Sequence, residues 1–160
     1  MATPGPSEGS IVLDIEVVAS VEDVWAAWVE PAPLARWLAK RARVEPHVGG
    51  PYELFWDLEH PEVNSTLGCT VTAVNEEYLL EFHWRGPDEF AALMNATPFP
   101  TSVAVRFQPL GPNRTRIRLV HSGFGPGDEW AKARASQEAS WKAALSRLQT
   151  LLGPPPPARA

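Results

Sequence analysis

The chain has 160 residues, 44% of them hydrophobic and 21% charged, with a net charge of −5 and a single cysteine. That length fits one domain with a core of its own, and the acidic balance argues against nucleic acid or an anionic membrane as the principal partner. Cys69 alone excludes an internal disulfide and any multi-cysteine metal site, and no apolar run approaches the roughly 18 residues of a membrane-spanning helix.

Residues 1–9 and 153–160 are rich in proline and small polar residues, and are expected as disordered tails around a single domain at 10–152. The first residues lack the basic and apolar regions of a signal peptide, so the expected compartment is a reducing cytoplasm. Ser10 to Ala19 alternates, with Ile11, Leu13, Ile15 and Val17 on one face and Asp14 and Glu16 on the other, which predicts a half-buried strand. Ser20 opens a helix with Asp23 in the capping-box position and an apolar stripe of Val21, Val24, Trp25 and Trp28. Pro31 ends it, and a second short helix is expected over 33–39 with Leu34, Trp37 and Leu38.

From Arg41 the period falls to two. Strands are predicted at 43–48, at 52–56 after the Gly49-Gly50-Pro51 turn, and at 63–74, where Leu67, Cys69, Val71 and Ala73 share a face. Asn75-Glu76-Glu77 turns the chain into 78–85, with Tyr78, Leu80, Phe82 and Trp84 together. A strand at 101–109 puts Val103, Val105 and Phe107 inward. Gly111-Pro112-Asn113 leads into 114–122, with Ile117 and Leu119 inward and Arg114, Arg116 and Arg118 outward. Consecutive strands joined by tight turns make an antiparallel sheet with one face packed and one wet. The last element is a long helix from Asp128, as N-cap, to about Leu152. Trp130, Ala133, Trp141, Ala144, Leu148, Leu151 and Leu152 share one face of it, a stripe that Arg134 and Gln137 interrupt in the N-terminal half.

One strand, two short helices, about six antiparallel strands and a long terminal helix resemble the helix-grip fold of the START-like, or SRPBCC, superfamily. Val24-Trp25-Ala26-Ala27-Trp28 followed by Pro31, Leu34, Arg36 and Trp37 is similar to the opening of one of its families, the one homologous to the C-terminal domain of heat-shock-90 chaperone ATPase activators. The Gly49-Gly50-Pro51-Tyr52 hairpin, His121-Ser122-Gly123-Phe124 at a strand end, and Trp141 with Leu145 and Leu148 continue that resemblance in order, over roughly Ser10 to Leu152. The resemblance implies an α+β fold: a curved antiparallel sheet of six to seven strands around the C-terminal helix. It also implies an apolar cavity between sheet and helix, with no cofactor. Residues 86–100 depart from the pattern, being longer than most hairpin loops. Asp88 is placed to cap a short helix there, and Phe90, Leu93 and Met94 form either a lid over the cavity or an excursion packed onto the surface.

The candidate cavity residues are Trp37, Tyr52, Trp56, Trp84, His121, Arg134, Gln137 and Trp141. Indole rings offer area and one donor each, and suit either a ligand-binding wall or a solid core. His121 continues the inward face of Ile117 and Leu119, so it is either a hydrogen-bonded structural residue or an acid–base group. Arg134 and Gln137 overlook it, to hold a ligand's polar end or, for Arg134, to reach solvent. His47, His60 and His83 lack metal-ligand spacing, so no metal site is expected. Cys69 reads as a small core residue, and Arg114, Arg116 and Arg118 as a solvated sheet face.

Three functions follow. The first is a domain that binds an apolar or aromatic small molecule between sheet and helix. The second, implied by the resemblance, is a protein-interaction module whose partner is a chaperone ATPase. The third is a cofactor-free cyclase, dehydratase or hydrolase using His121.

Overall fold

The computed structural model describes residues 9–96 and 100–153, so the tails expected at the two ends fall outside it except for Gly9 and Gly153. The alternating residues at the start form β1 (Ile11–Val17). Ser20 caps α1 (Val21–Val29), its hydroxyl accepting from the Asp23 backbone N–H at 3.1 Å. Pro31 does more than stop that helix. It is the first residue of α2 (Pro31–Trp37), earlier than the sequence suggests, because a helix start needs no N–H there and welcomes proline's fixed φ.

Among the described residues, seven strands divide between two sheets. β2 (Arg41–Val44) pairs with β3 (Tyr52–Phe55). β1, β4 (Val71–Asn75), β5 (Leu79–Trp84), β6 (Thr101–Gly111) and β7 (Arg114–Ser122) form an antiparallel sheet in the order β1-β7-β6-β5-β4. The long strand expected over 63–74 is corrected: its first half is irregular. Asn64 (φ 47°) and Gly68 (φ 87°) adopt left-handed backbone, which breaks an extended run. That stretch stitches the two sheets together instead. Thr66 Oγ1 accepts from the Leu54 N–H at 2.7 Å and donates to the Tyr52 carbonyl at 3.1 Å, and the Tyr52 N–H donates to the Cys69 carbonyl at 2.8 Å. Cys69 and Val71 are buried as expected, whereas Leu67 is exposed. Tyr78 also departs from expectation, lying exposed in the turn before β5, where Glu77 has φ 63°.

α4 (Asp128–Leu152) lies across the inner sheet face, burying Ala133, Gln137, Trp141, Ala144, Leu145 and Leu148 in the same core as Leu80, Phe82, Val103, Val105, Phe107, Ile117 and Leu119. Gly127, not Asp128, is its N-cap, with φ 100° that glycine alone adopts at no steric cost. Asp128 sits in the first turn, where a carboxylate complements the helix dipole. The far end is tied to β1: the Val18 N–H donates to the Gly153 carbonyl at 2.8 Å and Gln149 Nε2 to the Glu16 carbonyl at 3.0 Å. The result is a sheet that grips its terminal helix. None of the helices among the described residues is long and apolar enough to cross a membrane.

Candidate functional site

A cavity of about 350 Å³ opens between α4 and the ends of α2, β3 and β5. Its apolar wall is Trp56, Trp84, Trp141, Leu38 and Ala144. α4 contributes Gln137, Ser140, Trp141, Ala144 and Arg147, a stripe spaced by three and four that brings these side chains to one face. The tryptophans keep their polar atoms occupied within the protein. Trp56 Nε1 donates to the Leu38 carbonyl at 2.8 Å, and Trp84 Nε1 to Gln137 Oε1 at 2.9 Å. Their rings sit edge to face at 6.0 Å, and Trp84 leans on Trp141 at 4.9 Å. What they turn to the cavity is ring surface. Gln137 is buried, and its oxygen is fixed by the Trp84 indole, so its amide nitrogen is left without a partner among the described residues.

The mouth is shaped by the segment after β5. Asn95 holds Gly86 from both sides, accepting from its N–H at 2.7 Å and donating to its carbonyl at 3.0 Å. Gly86 lies so close to Met94 that a Cβ there would stand 2.4 Å from the sulfur, which explains the glycine. Asn64 Oδ1 accepts from the Asp88 N–H at 2.6 Å, and Asp88 Oδ1 from the Asn64 N–H at 3.4 Å. Asp88 begins a 3-10 turn (Asp88–Phe90) that runs into α3 (Ala91–Met94), and Pro87 takes the capping position expected of Asp88. Met94 is fully buried, and Phe90 and Leu93 pack partly buried against the core. None of these three lines the cavity. The segment gives it Gly86 and Pro87 instead.

Trp56, Trp84, Gln137 and Trp141 therefore meet at one cavity, and Trp37, Tyr52, His121 and Arg134 do not line it. Trp37 is buried against Trp28, with its Nε1 donating to the Ala27 carbonyl at 2.8 Å. Tyr52 stacks on Phe82 at 3.9 Å and donates to the Trp28 carbonyl at 2.7 Å, and burial pushes its phenol pKa far up. Arg134 is half-buried outside the lining. His121 is fully enclosed, and desolvation lowers its pKa to about 3, so the ring is neutral.

Its tautomer follows from its neighbours. The Trp141 indole only donates, to His121 Nδ1 at 3.1 Å, so the proton sits on Nε2 and points at Thr101 Oγ1, 2.9 Å away. The Thr101 hydroxyl in turn donates to the Trp84 carbonyl at 3.3 Å. Both ring nitrogens are engaged, an arrangement suited to holding β7 and β5 against α4 rather than to moving protons.

Two charged residues of the lining, Arg147 and Arg85, are not among the candidates the sequence suggests. Arg147 lies one helical turn beyond Ala144 on the apolar stripe, a spacing that does place it at the mouth. Arg85 ends β5 and carries no such signal. Arg147 Nε donates to the Trp37 carbonyl at 2.8 Å and Arg85 Nη1 to the Leu67 carbonyl at 2.9 Å. Among the described residues neither is ion-paired.

A family model described as activator of Hsp90 ATPase homolog 1-like protein matches residues 18–153. No curated protein matches the chain significantly. Among solved structures, a Mesorhizobium loti protein is 23% identical with a TM-score of 0.71, covering 89% of this chain and 96% of that one. An HSP90 activator from Plasmodium falciparum is 18% identical with a TM-score of 0.70, covering 91% and 97%. DynU16, a protein of the dynemicin biosynthetic locus, is 19% identical with a TM-score of 0.66, covering 91% of this chain and 48% of its own. At these identities the structural likeness speaks for the fold alone.

Proposed function

This chain belongs to the activator of Hsp90 ATPase homolog 1-like family, and with that as premise we propose that it binds an apolar or aromatic small molecule between α4 and the sheet. The observation that carries this reading is the tryptophan-walled cavity of about 350 Å³, within the range of small-molecule pockets, with unspent amide donors on Gln137 and Asn64. Burying about 300 Å² of apolar ligand surface at about 25 cal/mol/Å² yields roughly 7 kcal/mol before association costs, which is compatible with micromolar affinity. The test is a calorimetric titration with ligands drawn from a thermal-shift screen of apolar and aromatic compounds. One-to-one binding with a negative heat-capacity change is expected. A broad library without a saturable binder would sink the proposal.

A second reading, docking to a chaperone ATPase, is favoured by the family and by the likeness to the Plasmodium HSP90 activator. Stimulated ATP hydrolysis by a purified chaperone of that class would support it. Unchanged hydrolysis at saturating domain would dismiss it.

A further inference from the structure

We infer that the ligand is an amphiphilic anion, with an aromatic or alicyclic body in the tryptophan-walled cavity and one carboxylate, sulfonate or phosphate group held at the mouth by Arg85 and Arg147. The inference rests on the proposed ligand binding and adds the chemistry of the polar end. Three observations carry it. Both arginines contribute to the lining of this one cavity, each guanidinium is held at its edge by a single bond to a backbone carbonyl, and among the described residues neither is ion-paired with a carboxylate. A guanidinium has five N–H donors, so most of each remains unspent.

The chain as a whole is acidic, with 19 Asp and Glu against 14 Lys and Arg, yet no acidic side chain lines the cavity. Its local charge is opposite in sign to the net charge. The amides are also turned as donors: Gln137 gives its oxygen to the Trp84 indole and Asn64 gives its oxygen to the Asp88 N–H, leaving both amide nitrogens available. A lining of unspent donors selects for acceptors, and best for a charged one. Bonds to the chain at Gly86 and at Asp88 hold the mouth in shape, so little ordering is required when the anion arrives.

The test compares two probes with the same rings, anilinonaphthalene sulfonate and the neutral N-phenylnaphthylamine, by fluorescence titration of the full chain. The sulfonate is expected to bind about tenfold more tightly at low salt, and added salt is expected to erase most of that advantage. In a double variant, Arg85→Gln with Arg147→Gln, the sulfonate should lose its advantage over the neutral probe. An unchanged circular dichroism spectrum and urea midpoint report an intact fold. Lysines at both positions should restore part of the preference. Equal binding of the two probes to the parent protein overturns the anion assignment while leaving the cavity proposal standing. A sulfonate preference that survives the double glutamine variant also overturns it, since the anion is then held elsewhere. If neither probe binds, this inference is overturned, and the cavity proposal is decided by the broad screen.

Discussion

Trp84 and Trp141 border two regions built from similar residues and finished differently. On one side lies His121, enclosed by Trp84, Trp141 and Phe124, the last with its ring centre 4.7 Å away. Trp130 packs edge-on against Phe124 at 6.1 Å, so tightly over Gly125 that a Cβ there would stand 2.6 Å from the indole nitrogen. The polar atoms run in one chain of donors: Trp141 to His121, His121 to Thr101, Thr101 to the Trp84 carbonyl. On the other side the same two rings face about 350 Å³ of space, an amide with its nitrogen unspent and two arginines. A buried polar network whose members pair off completely is a structural device. One that leaves a donor facing open space has bonding capacity left for a ligand.

Trp141 serves both regions, so its removal should be the most damaging change. It touches Trp28, Trp84 and His121, and it satisfies His121 Nδ1. Trp141→Ala should cost about 4 kcal/mol in a urea titration, from lost burial plus the void it leaves. Trp141→Phe keeps most of the bulk but strips His121 of its donor, and should cost about 1–2 kcal/mol. A loss under about 1 kcal/mol for the alanine variant would mean that the rings do not share this load.

The enclosed side is separated from the open one by its response to acid. His121 has a pKa of about 3 in the folded protein against 6.5 ordinarily, because burial disfavours the charged ring. Between those values the unfolded chain binds a proton that the folded chain refuses. The stabilisation is complete above pH 6.5 and falls as pH drops toward 3, by about 1.4 kcal/mol per pH unit. In His121→Gln this component should vanish, so urea midpoints taken at neutral and mildly acidic pH should converge relative to those of the parent protein. Parallel pH dependences in the two proteins would show that the ring is already protonated or hydrated in the folded state.

The frame was readable from the sequence because periodicity reports burial directly. The alternation of Ile11 to Val17, the inward row Val103, Val105 and Phe107, and the stripe of α4 all stand where their patterns put them. The site was readable only in part. Trp56, Trp84, Gln137 and Trp141 were legible as large or polar residues on inward faces. However, an inward face does not say whether the space before it is filled. His121 and Tyr52 face inward too, and their neighbours close over them. Arg134 carries a charge on the helix face near His121, but the cavity opens farther along the helix, at Arg147. Arg85 owes its place to the irregular stretch around Leu67, whose carbonyl it meets, and left-handed backbone at Asn64 and Gly68 leaves no mark in a hydrophobic pattern.

The smallest effect on stability is expected from the change that most sharply separates the two regions. Ala144 is buried in the wall of the open side, on the same helix face as Trp141 and Arg147. Added methylenes in a well-packed core force neighbours aside and cost about 1–3 kcal/mol. If the space before Ala144 is as open as its volume indicates, the larger side chain enters it without displacing anything, and its apolar burial offsets its lost rotamer freedom. Ala144→Leu should therefore shift the urea midpoint by the equivalent of less than about 0.5 kcal/mol, in either direction. It should also weaken binding of N-phenylnaphthylamine by about tenfold or more, because the leucine takes the ligand's place. Destabilisation in the full overpacking range would mean that the open side is packed like the enclosed one, and the contrast between them would disappear. Unchanged stability with unchanged probe binding would place the ligand away from Ala144, on some other part of the surface.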